Sequence, residues 1–365
     1  KGMSYLFSPA NLGQVQLTNR IIVPPMCQYS AHEGLISPWH QAHYMNLALS
    51  GASLVIVEAS AVNPDGRITY QDLGLWNEAQ MQAFKTLLTN IKSFANAKLG
   101  IQIAHAGRKA SCALPWEGGQ NLAPDDPHGW QTVAPSALPF GDSYSPKALT
   151  INEIHEITQQ FVDSAKRAEQ AGFDLIEIHA AHGYLLHEFL SPISNQRQDE
   201  YGGSFVNRTR FLVDMFREVR AAVSPNIAVG IRISATDWVA GGWDLAQSIE
   251  LTEVLEELGC DYIHVSSGGL SDKQQIPVSP NYQVPLAQAI HEHTDMPVIA
   301  VGLITEPHQA EAIIATGQAD FIAIGRGILY EPRWPWRAAS VLNEQINVAP
   351  QYLRCAPHQF KQLFK

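Results

Sequence analysis

Residues 150–182 read TINEIHEITQQFVDSAKRAEQAGFDLIEIHAAH. Thr150 with Glu153 three residues on forms a capping box. Apolar residues then recur at helical spacing from Ile151 to Ala171, and Gly172 offers a left-handed stop. Directly after it, Asp174–His179 is almost continuously apolar, as a strand buried on both faces requires. One such unit says little alone, but the chain repeats it. Runs of the same kind are Ile21–Met26, Leu54–Ala59, Gly100–Ala104, Ala228–Ser234, Tyr262–Ser266, Pro297–Val301 and Phe321–Gly325. Amphipathic stretches Arg208–Val223, Ser248–Leu258, Pro285–His293 and Pro307–Thr316 lie between them, with Gly259 and Gly317 just past two of their ends. Eight strands alternating with helices predict an α/β chain folded as a single (β/α)8 TIM barrel. An open doubly wound sheet normally stops at about five to seven strands.

No linker, charge run or low-complexity block divides the chain. Residues 3–365 therefore read as one domain, with Lys1 and Gly2 ahead of Met3 as a cloning remnant. The longest irregular segment, about Lys109–Ala148, follows the third strand and is rich in Pro, Gly and Asp. Two readings stand for it: a lid or binding loop, or a surface excursion with its own hairpin.

At 365 residues, 45% hydrophobic and 16% charged, the chain can bury a large core. Lys and Arg number 24 against 35 Asp and Glu, a net charge of −11, which argues against nucleic acid or an anionic membrane as partner. No apolar run reaches the roughly 18 residues of a membrane span. The start lacks the apolar stretch of a signal peptide. Cys27, Cys112, Cys260 and Cys355 form no C-x-x-C pair, so neither a zinc ribbon nor a dithiol motif is expected, and scattered cysteines suit a reduced, cytoplasmic protein.

A barrel carries its chemistry at the C-terminal strand ends. Gly302, Gly325 and Arg326 stand at the last two, where barrels often hold phosphate. The glycines open backbone N–H groups to an anion, and Arg326 adds a fixed cation. Ordinary turn glycines beside a surface Arg is the alternative. Gly325-x-Gly327 has Tyr330 where a dinucleotide fingerprint needs a third Gly, and no P-loop, H-E-x-x-H or G-x-S-x-G motif occurs. His179, His182 and Tyr184 follow the fourth strand. They could be metal ligands, although a third ligand is not evident. They could be structural, or two N–H donors for an oxyanion with a phenol as proton donor. Arg232 on the fifth strand is an inward cation that needs an anion, from a ligand or a salt bridge. Gln102 offers donor and acceptor to an amide-like ring edge. Cys27 reads as a buried hydrophobe or a nucleophile.

Five motifs in one order carry a resemblance. They are Pro25-Met26-Cys27, Glu58-Ala59-Ser60, Gln102-x-x-His105-x-Gly107-Arg108-Lys109, His179-Ala-Ala-His182-Gly183-Tyr184 and Tyr201-Gly202-Gly203-Ser204-x-x-Asn207-Arg208. From about Leu6 to Arg354 the chain resembles the old yellow enzyme family, FMN-dependent ene-reductases on a TIM barrel. Cys27 with Tyr29, and the insertion from Pro115 to Trp130, are most similar to the thermophilic-like branch that includes the xenobiotic reductases. The resemblance implies FMN as cofactor and NADPH or NADH as hydride donor. It implies electrophilic alkenes or nitro compounds as substrates, reduced by ping-pong hydride transfer through flavin N5, and assembly as a homodimer or homotetramer. Pro25, Met26, Ala59 and Gln102 would line the flavin ring, Cys27 would tune it, and Arg232 would face N1/O2. Gly302, Gly325 and Arg326 would hold the phosphate. His179 and His182 would bind the substrate oxygen, Tyr184 would donate the proton, and Tyr29 would contact substrate. Arg354 would reach a neighbouring subunit's site. No metal is implied. The Tyr201–Arg208 motif is expected to brace the barrel.

Overall fold

Eight parallel strands close on one another in the computed structural model, which describes residues 4–365, so Lys1 and Gly2 lie outside the described residues. They are β1 (Ile21–Val23), β2 (Leu54–Ala61), β3 (Lys98–Ala104), β4 (Leu175–Ala180), β5 (Ala228–Ser234), β6 (Ile263–Ser266), β7 (Val298–Val301) and β8 (Phe321–Ala323). Each pairs with its sequence neighbour, and β8 returns to β1 through Ile322 opposite Ile21. Every residue of β4 and β5 is buried, which is why the sequence shows unbroken apolar runs rather than alternation. Helices Ile151–Ala171, Phe205–Ala222, Leu245–Glu257, Val284–His291 and Pro307–Ala315 follow the expected periodicity. The Thr150–Glu153 capping box forms, and Gly172 takes φ +103° at the helix end.

Several element boundaries differ from the sequence reading, and three strand ends bear on the site. β1 stops at Val23 because Pro24 and Pro25 have no N–H to give the ladder. β8 stops at Ala323, and Gly325 instead caps a short helix, Arg326–Tyr330. β2 runs on to Ala61, with a register shift between Val57 and Ser60 that displaces Glu58 and Ala59 from regular pairing. Two further helices, Pro38–Ala48 and Glu78–Lys92, complete the outer layer. An N-terminal hairpin, Ala10–Leu12 with Val15–Leu17, seals the lower end. Its Leu12, Val15 and Leu17 pack with Ile22, Leu175 and Phe321 beneath the barrel.

In the segment after β3 the short strands Val133–Ala134 and Lys147–Ala148 pair in parallel, while Cys112 and Asn121 form an antiparallel bridge, so a single-bridge hairpin is the only antiparallel pairing among its described residues. It folds over the upper strand ends. Arg108 donates to Leu138 O and Pro139 O at one end of its guanidinium and to Leu270 O at the other. At the Tyr201–Arg208 motif, Ser204 caps helix Phe205–Ala222, Asn207 donates to Gly202 O, and Arg208 reaches Leu190 O, so the motif ties this helix to the loop after β4.

The hairpin seal should be separable from the chemistry at the opposite end. Leu17→Ala is expected to cost about 2–5 kcal/mol of stability, the usual range for a buried Leu truncated to Ala. Urea unfolding measures the loss, and the flavin content of the folded fraction should stay unchanged.

Candidate active site

The strand ends surround a cavity of about 410 Å³. Pro24, Pro25 and Met26 line it from the turn after β1, Arg232 from β5, Ser266 from β6, Gly302 from beyond β7, and Gly325 with Arg326 from beyond β8. Gly302 has φ +111°, and a Cβ there would lie 2.6 Å from Gln283 Nε2, so only glycine fits. At Gly325 an added Cβ would stand 3.5 Å from Met26 Sδ and take up cavity space.

Beneath the cavity Glu177 of β4 gathers its neighbours. It accepts from Gln102 Nε2 of β3 at 2.8 Å, from Tyr262 OH at 3.1 Å, and from His264 Nδ1 of β6 at 2.9 Å. Burial would raise this carboxyl, but His264, Arg232 and Tyr262 outweigh it and hold it below its ordinary value. Arg232 is 8% exposed, and its Nε has no hydrogen-bond partner. Burial lowers the Arg232 pKa despite the nearby Glu177 charge. A buried guanidinium with a free donor, beside a glycine-lined corner that also carries Arg326, offers the kind of donors that a phosphorylated, redox-active anion such as FMN would need. The residues present therefore fit FMN.

His179 on β4 stands together with His182 and Tyr184 just beyond it. The His179 ring centroid lies 5.3 Å from His182 and 5.0 Å from Tyr184, both edge to face. His179 Nδ1 accepts from Ala181 N–H, which leaves the proton on Nε2. His182 Nε2 is 2.7 Å from Ser266 Oγ. Burial, then the Arg232 charge, pushes both imidazoles well below their ordinary pKa, so both are neutral donors at physiological pH. Burial pushes the Tyr184 phenol well above its ordinary value. Among the described residues no three His, Cys, Asp or Glu side chains are placed to hold a metal ion.

The backbone here is tightly specified. His182 sits at φ +61° and Gly183 at φ +77°, where a Cβ would fall 2.1 Å from Gly269 O. Lys109, flagged in the sequence only as part of a motif, clamps this approach by donating to His182 O at 2.9 Å and Gly269 O at 2.7 Å. Its ammonium lies 4.7 Å from the Phe140 ring centroid and 5.3 Å from that of Tyr184. Burial lowers the Lys109 pKa to about 8. Tyr29, with φ +52°, meets Trp116 of the excursion edge-on at 6.1 Å. Removal from water raises the Cys27 thiol well above its ordinary pKa, with Asp72 and Glu58 adding to the shift. A thiol held protonated is a poor nucleophile. Ala59 is buried on the displaced end of β2.

Arg354 is not brought to this cavity. It is exposed on a 3-10 segment, Pro350–Cys355, whose Tyr352 packs on Trp336. Glu177 and Lys109 are the site residues that sequence reasoning passed over. A charge inside the apolar run Leu175–Ala180 was a signal for Glu177. Lys109 gave none, because its burial depends on the folded excursion.

The model of the NADH:flavin oxidoreductase / NADH oxidase family matches residues 5–345. The chain is 45% identical over 352 residues to an NADPH dehydrogenase of Bacillus subtilis (strain 168), covering 96% of this chain and 98% of that protein. It is also 45% identical, over 355 residues, to an NADPH dehydrogenase of Listeria innocua, covering 96% and 99%. Among solved structures, morphinone reductase in complex with tetrahydroNAD aligns with a TM-score of 0.76 at 26% identity, covering 99% of this chain and 94% of that one.

Glu177→Gln should strand the Arg232 cation. Breaking one side of a buried charge cluster typically costs about 3–5 kcal/mol. Chemical denaturation should register a loss of that order, and the purified variant should retain less flavin.

Proposed function

The chain belongs to the NADH:flavin oxidoreductase / NADH oxidase family, FMN-dependent enzymes that take hydride from NADPH or NADH, and we propose that it is an ene-reductase for activated C=C bonds of α,β-unsaturated carbonyl and nitro compounds. The observation that carries this reading is two neutral imidazoles and one protonated phenol on a single rim. FMN, when bound, supplies the hydride chemistry between nicotinamide and alkene. Pro25, Met26, Ala59 and Gln102 would hold its ring, Arg232 would offset negative charge at its N1/O2 edge, and Gly302, Gly325 and Arg326 would take the phosphate.

His179 donates through Nε2–H to the substrate's carbonyl or nitro oxygen, and His182 donates beside it. Neutral donors suit this task. They are fixed before reaction and gain most when the oxygen becomes anionic, in a site with little water to compete. Tyr184 keeps its proton at every physiological pH and releases it only to a strong base, the carbanionic α carbon. Cys27 adjusts the flavin edge as a thiol, without covalent chemistry. Tyr29 and Trp116 face the substrate from the opposite wall. The Cys27 and Tyr29 pair supports a reading of the chain among the xenobiotic reductases of the thermophilic-like branch. The relatives' names favour NADPH as donor. All four cysteines are free, which supports a cytoplasmic setting. Arg354, exposed and away from its own cavity, supports a homodimer or homotetramer in which it serves a neighbour.

Tyr184→Phe separates the two half-reactions. Flavin reduction by NADPH should stay within a few-fold of wild type, since it needs no proton from the phenol. Reoxidation by cyclohexenone should slow by up to the 10²–10⁴-fold typical of general acids. Nitroalkenes, which yield a stabilised nitronate, should be much less affected. Equal loss in both half-reactions, read by stopped flow, would overturn the assignment.

The histidines have a test of their own. A phenol bound above oxidised flavin should give a long-wavelength charge-transfer band, with its oxyanion held by both N–H groups. Replacing His179 and His182 together by Ala should abolish the band. Its survival would place the oxyanion elsewhere.

A further inference from the structure

Bordering Tyr184, and reaching Ala59 at the displaced end of β2, lies a second and much smaller cavity. Its volume of about 10 Å³ is the room one water needs. Tyr184 and His179 form one side and Asp72 another, with Ala104 of β3 and Gly66 among the remaining walls. Asp72 is 3% exposed and has no part in the roles assigned above. Its Oδ1 accepts from Thr69 N at 3.1 Å and Thr69 Oγ1 at 2.8 Å, while Oδ2 accepts only from Ile68 N at 2.7 Å. Oδ2 therefore keeps the freer lone pair. A further polar group stands close by. His105 packs on Gly66, its Nδ1 accepts from Gly107 N–H, and its buried Nε2 has no partner.

We infer that Asp72 is the proton source behind Tyr184, acting through a single water held in this cavity. The inference rests on Tyr184 being the proton donor. The physical need is plain. The Tyr184 site strongly disfavours phenolate, so the phenol gives up a proton readily only if another arrives as it leaves. The small cavity is lined by Tyr184 and Asp72 alike, so a water held there would stand next to both. The step balances. The Tyr184 O–H bond breaks as the α-carbon C–H bond forms. A water O–H proton passes to the Tyr184 oxygen, and the Asp72 proton passes to the water. Asp72 is left as carboxylate and regains a proton from solvent once product has gone.

The charge environment suits the task. Burial raises Asp72 to about 7, against the Thr69 and Ile68 donors, so a protonated fraction persists at neutral pH. Cys27 and Tyr29 face it from the turn after β1, Glu58 from β2, and Arg67 from its own loop. Cys112 of the excursion faces it too, as does Tyr184, with His179 across the cavity. Of these only Arg67 is a cation. Because the donor must be protonated, the relay weakens as pH rises through about 7.

The test uses the holoenzyme. Asp72→Asn should leave flavin reduction by NADPH unchanged and slow reoxidation by cyclohexenone roughly tenfold, less than loss of the acid itself. The fall in wild-type reoxidation rate above pH 7 should vanish in the variant. The solvent proton inventory should change from curved in wild type, where several protons move, to linear. Ala104→Val, which adds bulk at the cavity wall and replaces neither acid, should straighten the inventory in the same way and keeps the test open if Asp72→Asn fails to fold. Infrared titration should show a protonated carboxyl C=O band that fades near pH 7 in wild type and is missing from Asp72→Asn. An unchanged pH profile and a still-curved inventory in both variants would overturn the relay while leaving Tyr184 as donor. Unslowed cyclohexenone reoxidation in Tyr184→Phe would instead bring down the reading beneath it.

Discussion

One carboxylate holds the interior of this barrel in order. Glu177 points from β4 into a space where ionisation is costly, and it stays ionised because Gln102, Tyr262 and His264 donate to it and Arg232 lies near. The partners come from β3, from β5 and, in two cases, from β6 and its start, so one charge fixes the relative positions of β3, β4, β5 and β6. It also does two jobs for the face above. It orients the Gln102 amide, and it offsets part of the Arg232 charge without capping it, since the Arg232 Nε is left free. Had the guanidinium been fully paired within the chain, it could not serve an incoming anion. Had it no counter-charge, burial would have been prohibitive. The cofactor site depends on this partial neutralisation.

A second constraint is geometric. The loops after β4 and β6 touch backbone to backbone at Gly183 and Gly269, closer than any side chain allows. That contact fixes His182 in its left-handed conformation, and Lys109 locks it from above. Because Arg108 and Lys109 begin the excursion, the segment that covers the pocket is tied to the residues that face substrate. Phe140 against the Lys109 ammonium and Trp116 against Tyr29 extend the same tie across the mouth.

Much of this was legible in sequence because buried parallel strands have an unmistakable composition. Ala228–Ser234 was bounded to the residue, as was helix Ile151–Ala171 with its capping box. Where the outline failed, local chemistry explains it. Pro24 and Pro25 end β1 early through their missing N–H groups. The hairpin at Ala10–Leu17 is too short for a periodic signal, since its strands have three residues each. The rim residues His179, His182 and Tyr184 could be read because they follow a strand within five positions of Glu177–Tyr184 motif spacing, whereas their supports could not. Lys109 and Asp72 matter through burial, and burial at a loop is set by tertiary packing. A sequence shows their residue types but not their surroundings.

The division between rim and support also sets how the site answers to pH. The groups that meet substrate titrate far from neutrality: both imidazoles stay neutral, and the Tyr184 and Cys27 hydrogens stay on. The groups behind them do not. Asp72 lies at about 7, with Glu188 and Lys109 each at about 8. Asp72 and Glu188 have folded pKa values above their unfolded ones, so each costs stability as pH rises from the ordinary carboxylate range to its own folded value. Lys109 has a folded pKa below its unfolded one, so its cost is present below about 8 and is relieved only above it. Across the interval from slightly acid to about pH 8 the two carboxyls therefore act in the same direction with nothing from Lys109 to offset them. A barrel rim that keeps its own chemistry constant rests on two carboxyls whose support weakens together as pH rises toward about 8, the point above which Lys109 begins to restore it.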